Sequence, residues 1–100
     1  MKKIVLKFKD KNLVLNLRDT PTANMIYGAL PFTSTVKKWG EEIYFETPVD
    51  VDVEDNARAV VEFGEIAFWN GGSAIWADSN FEKSYIETIK ENEFVKIEKL

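Results

Sequence analysis

The chain has 100 residues, 13 of them Lys or Arg and 17 Asp or Glu, for a formal net charge of −4. At this length about two-thirds of the surface can be buried, which suits one domain with one modest core over residues 1–100. There is no cysteine and no histidine. Disulfides, thiolate nucleophiles, Ser-His-Asp catalysis and most zinc or iron sites are thereby excluded.

The charge balance argues against a nucleic-acid partner, since the basic residues at Lys2, Lys3, Lys7, Lys9 and Lys11 and at Lys37-Lys38 have acidic residues close by in the sequence. Met1-Lys2-Lys3 resembles the start of a signal segment, but Lys7 interrupts the apolar run. No apolar stretch approaches membrane-spanning length, so a cytoplasmic protein without a membrane partner is expected.

Ile4, Leu6 and Phe8 alternate with Lys3, Val5 and Lys7, and Leu13, Leu15 and Leu17 alternate with Val14 and Asn16. Separated by Asp10-Lys11-Asn12, these runs predict an antiparallel hairpin with one apolar face. Thr20-Pro21 predicts a helix start, with threonine capping and proline in the first turn. Ala23, Ile26, Tyr27 and Leu30 form the apolar stripe, and Pro31 ends it. Gly28 inside this helix implies a close-packed neighbour.

Strands are expected over 33–39 and 42–46 around a Gly40-Glu41 turn, pairing Trp39 with Glu42 and Lys37 with Tyr44. Residues 48–55 alternate valine with acid and suggest an edge strand or extended loop. Phe63-Gly64 is a turn. Ile66 and Phe68 then alternate into Asn70-Gly71-Gly72-Ser73, read as a four-residue hairpin loop. That loop pairs Trp69 with Ala74, Phe68 with Ile75 and Ala67 with Trp76. It sends Ile66, Phe68 and Ile75 inward and both indoles outward. Ser79 followed by Glu82 predicts a capping box for a second helix, with Phe81, Tyr85, Ile86 and Ile89 as its buried stripe and Asn92 closing it. A last strand covers Phe94 to Lys99. So many short strands in so small a chain favour a closed barrel.

Thr20-Pro21-Thr22-Ala23, Ala29-Leu30-Pro31-Phe32, Trp39-Gly40-Glu41-Glu42-Ile43-Tyr44-Phe45 and Asn56 to Gly64 before Phe68-Trp69 resemble the cyclophilin-like family of small prokaryotic proteins. The resemblance covers roughly residues 1–76. It implies a mainly β fold: a closed cyclophilin-like barrel of about eight strands with two capping helices. It carries no assigned reaction. Cyclophilins proper have a Phe-His-Arg run after the first helix, whose arginine is the main catalytic group. Here that stretch is Phe32-Thr33-Ser34. Longer relatives carry a G-x-T-P segment after the second hairpin, where this chain runs Trp76-Ala77-Asp78-Ser79.

The candidate chemistry is sparse. Asp50, Asp52 and Glu54 lack the glycine and distal acid of a calcium loop. Glu41, Glu42 and Glu46 have no apolar pocket to raise a pKa. The Asn70-Ser73 loop lacks the Gly-Lys-Ser/Thr ending of a phosphate cradle. No cofactor, metal or catalytic residue is expected.

The surplus is aromatic: Trp39, Tyr44, Trp69 and Trp76 all fall on the predicted outer face. They are the candidate binding residues, together with Arg58, whose fork suits a carboxylate or phosphate if it is not simply paired with Glu62 or Glu65. Outward aromatics are covered by the chain itself, form a homodimer contact, or line a groove for a small molecule, peptide or protein. The reading is a non-catalytic binding module, with a weak peptidyl-prolyl isomerase as the alternative.

Overall fold

In a computed structural model, residues 2–39, 42–50, 62–69 and 73–100 are described, apart from the side chain of Trp39. The Gly40-Glu41 turn, most of the acidic 48–55 run, Arg58 and the glycines of the 70–72 loop lie outside the described residues.

The leading alternation forms β1 (Lys3–Lys7) and β2 (Asn12–Leu17). They pair antiparallel from Lys3 opposite Asn16 to Lys7 opposite Asn12. The Phe8 N–H donates to the Lys11 carbonyl at 2.8 Å and closes the turn. Ile4 and Leu6 on one strand and Leu13, Leu15 and Leu17 on the other are buried, while Val14 between them is exposed. Each core side chain so buried stabilises by about 1.5–3 kcal/mol relative to exposure.

Helix α1 (Pro21–Ala29) starts as expected, with the Thr20 hydroxyl accepting from Ala23 N–H at 3.1 Å. Thr22, Ala23 and Ile26 are buried. Gly28 departs from expectation. A side chain built there meets nothing within 4 Å, so no close approach explains it.

The expected 33–39 strand is broken at Val36 into β3 (Phe32–Thr35) and β4 (Lys37–Trp39), the latter paired with β5 (Glu42–Tyr44). The pairs Lys37–Tyr44 and Trp39–Glu42 fall as the sequence implies. Val36 itself is fully buried and bonds to a distant turn: its N–H donates to Glu93 and its carbonyl accepts from Asn92, both at 2.8 Å. That bridge diverts the chain out of the main sheet.

Gly64, at φ +91°, turns the chain into β6 (Glu65–Trp69), which pairs with β7 (Ser73–Asp78). The final strand β8 (Phe94–Lys99) lies between β1 and β3. One six-stranded sheet results, ordered β3-β8-β1-β2-β7-β6, with β4-β5 as a separate two-stranded unit. The sheet curls around the core as a half-barrel. It is not the closed eight-stranded barrel expected: among the described residues β3 and β6 are its two borders, and β4-β5 does not join them.

The β6-β7 register also differs from expectation. Trp69 lies opposite Ser73 and Phe68 opposite Ala74, one residue away from the predicted pairing. Beyond Ala67–Ile75 the partners jump to Ile66–Ala77, leaving Trp76 as the extra residue of a β-bulge. Trp76 and Ala77 both enter the core cluster, and Trp76 is only 3% exposed. The expected outward Trp76 is therefore corrected to a core residue.

The capping box does not form. Helix α2 covers only Lys83–Glu87, and its cap, Glu82, makes no side-chain bond to the helix. Ser79 is used elsewhere, and Asn92, at φ 71°, shapes the turn into β8 instead of closing the helix. Phe81, Ile86 and Ile89 still pack on the core.

Candidate functional site

Among the described residues, no ring contact joins the sequence-chosen Tyr44, Trp69 and Trp76. Trp69 is 72% exposed and Tyr44 54% exposed, whereas Trp76 is buried. Parity places Trp69 with Ala67 and Ile75 on the face opposite Phe68 and Trp76. The two indoles of this hairpin thus point to opposite sides. Trp39 pairs with Glu42 through its backbone, and Arg58 lies outside the described residues.

The expected partnership of Glu65 with an arginine involves Arg18. Its Nε and one terminal nitrogen grip both oxygens of Asp78 at 2.7 Å, and the same nitrogen reaches Glu65 at 3.0 Å. Hydrogen bonding to Asp78 is the main cause that holds the guanidinium pKa above its already high ordinary value; burial opposes it, and the charge of Asp78 and then the hydrogen bond and charge of Glu65 add to it. This planar fork ties the end of β2 to β6 and β7. With two carboxylates on it, Arg18 is a structural clamp and offers little to an incoming anion.

The clamp stands where β2 and β7 part. Leu17 N–H donates to Lys2 C=O at 2.9 Å. Strand alternation then turns the peptide groups of Leu13 and Leu15 toward β1, and those of Asn12, Val14 and Asn16 away from it. Strand β7 meets this outer edge only at Asn16–Asp78 and Leu17–Ala77. Continuing the register would set Asn80 opposite Val14, but β7 ends at Asp78.

A groove of about 490 Å³ opens there, between Asn12–Val14 and the segment from Ser79 to Tyr85. That volume is within the usual range of small-ligand sites, about 300–1,000 Å³. Side chains partly satisfy the edge. Ser79 Oγ donates to the Val14 carbonyl at 2.8 Å, and the Tyr85 hydroxyl donates to the Asn12 carbonyl. The Val14 N–H has no hydrogen-bond partner among the described residues.

Phe81 supplies an apolar wall and contacts Phe63 at 5.1 Å between ring centroids. Tyr85 is fixed by Lys11, whose Nζ donates to the Tyr85 carbonyl at 2.9 Å and to the Thr88 hydroxyl and sits 4.6 Å from the ring centroid. Glu82 is the one lining residue charged at neutral pH, and no cation pairs with it among the described residues.

Sequence reasoning missed this groove. Phe81 and Tyr85 read as one face of a longer helix, and Ser79 as its cap. The open edge at Val14 depends on where β7 stops, and no local pattern marks that point.

A mainly β half-barrel flanked by two helices, with this edge groove, defines the class. A family model described as Cyclophilin-like matches residues 2–77, and the chain belongs to that family. The chain is also similar to the solution structure of a hypothetical protein from Archaeoglobus fulgidus. The TM-score is 0.81 at 24% identity, over 99% of this chain and 95% of the other, a likeness of fold alone. No curated protein matches. Among the described residues, no helix is long and apolar enough to cross a membrane.

Proposed function

We propose that the protein is a non-catalytic binding module that takes its ligand in the groove between β2 and residues 79–85. The observation that carries this reading is the strand edge at Asn12 and Val14, with one peptide N–H unused, facing an aromatic wall. Such a site can orient a ligand by hydrogen bonds and hold it by apolar contact. Among the described residues it has no nucleophile paired with a base, and Lys11 beside it is engaged by Tyr85 and Thr88. A weak isomerase would need a donor aimed at the prolyl amide, so this second reading has less support.

A fragment and metabolite screen by amide NMR tests the proposal. Ligands should move the signals of Asn12, Val14 and residues 80–85 together. A broad screen that leaves all of them unmoved would overturn it. A proline isomerisation assay with a rate above background would replace the binding-only reading.

A further inference from the structure

We infer that the occupant of this groove is an extended peptide segment carrying a Lys or Arg, which adds to the outer edge of β2 as a strand. The inference rests on the binding reading above and specifies the ligand.

Two features select this chemistry. First, the outward peptide groups of Asn12 and Val14 recur at a two-residue spacing, about 6.8 Å along a strand. An extended backbone presents its own N–H and C=O groups at that repeat, as in other strand-addition complexes. The incoming strand would continue the ladder that β7 abandons after Asp78. It would accept from Val14 N–H and donate to Val14 C=O, which has a second lone pair beside the one Ser79 uses. Second, Glu82 is the single acidic residue of the lining and has no ion-pair partner among the described residues, so a basic side chain on the incoming strand complements it. Phe81 offers an apolar surface to a neighbouring residue of that strand.

The test uses the full chain, labelled with nitrogen-15, and three acetylated, amidated pentapeptides. One alternates lysine and valine, one has glutamate for lysine, and one is the lysine peptide N-methylated at alternate residues. The lysine peptide should shift Asn12 and Val14 and slow amide exchange at Val14. Blocking the hydrogen-bonding edge should weaken binding by about 2–10-fold, the worth of one net hydrogen bond. Glu82→Gln should weaken the lysine peptide by about 2–5-fold, the range of an exposed ion pair. That side chain is exposed, so the variant folds.

Equal binding of all three peptides, or lysine-peptide shifts confined to residues away from β2, overturns the inference. Fragments that bind where no peptide does also overturn it, while leaving the binding reading intact. If neither binds, both fail. Shifts at the same amides that grow with protein concentration alone would assign the edge to a second copy and overturn the peptide.

Discussion

The two hairpins of this sheet carry similar alternating patterns and meet different fates. In β1-β2 five consecutive pairs keep one register, and burial along β2 follows parity, Leu13, Leu15 and Leu17 in and Val14 out, while in β1 Val5 is buried along with Ile4 and Leu6. In β6-β7 the register shifts between Ile66 and Ala67, and every residue of β7 from Ser73 to Ala77 is buried. Alternation therefore reports the inner face along β2 and fails along β7, where the pairing shifts. The one-residue difference in pairing at the loop end, with Trp69 opposite Ser73, sets Trp76 on the face of Phe68 and moves that indole from the expected surface to the core.

Trp76→Ala is the most damaging way to test that contrast. Removing a buried indole should cost about 3–5 kcal/mol, close to the loss for the largest aliphatic truncations in the β1-β2 hairpin. Denaturant unfolding would measure it, with Trp76→Phe as the milder variant if the alanine protein does not fold. Total stabilities of about 5–15 kcal/mol leave room for either outcome. A loss below about 1 kcal/mol would mean that the indole is not in the core and that the β6-β7 register is misplaced.

Much of the fold was legible because local chemistry and burial agreed. Thr20-Pro21 opens α1, Gly64 turns, and Ile4, Leu6, Leu15 and Ile97 fill the core. What was not legible is set by distant partners. Val36 looks like a mid-strand valine, but its backbone bonds to Asn92 and Glu93 and breaks the strand. Ser79 has the spacing of a helix cap, but the Val14 carbonyl takes its hydroxyl. The cyclophilin-like resemblance supplied the family correctly and, on the described residues, the closure incorrectly. Of the groove, Phe81 and Tyr85 were visible as part of a buried helical stripe and Ser79 and Glu82 as a capping box, all in another role.

A pH titration distinguishes the hairpins through their turns. The Glu93 carboxylate accepts from Lys90 N–H at 3.1 Å and from Lys9 N–H, in the β1-β2 turn, at 2.7 Å. These backbone bonds, Lys90 first, hold its pKa below the usual carboxylate value. A folded-state pKa below the unfolded one stabilises the protein above the unfolded value, about 4.3, and the gain is lost as pH falls through the folded one. Because the site is near solvent, the gain is no more than about 1 kcal/mol. Protection of the Lys9 and Lys90 amides, taken relative to intrinsic exchange at each pH, should fall below about pH 4.3, and Glu93→Gln should flatten that dependence. Unchanged protection at both amides would show that the carboxylate does not hold the turn.

The smallest effect belongs to Trp69, and its smallness is the informative part. The side chain sits opposite Ser73 on the outward face, so Trp69→Ser removes little buried area. Stability should change by no more than about 0.5 kcal/mol, since surface positions lose only cross-strand contact and strand propensity. A loss above about 1 kcal/mol would show that other parts of the molecule cover the ring, and the contrast with Trp76 would shrink. Sedimentation sharpens the same variant. If wild type is dimeric and Trp69→Ser is a folded monomer, the exposed indole is a subunit contact. If both are monomers of equal stability, Trp69 has neither a packing nor an assembly role.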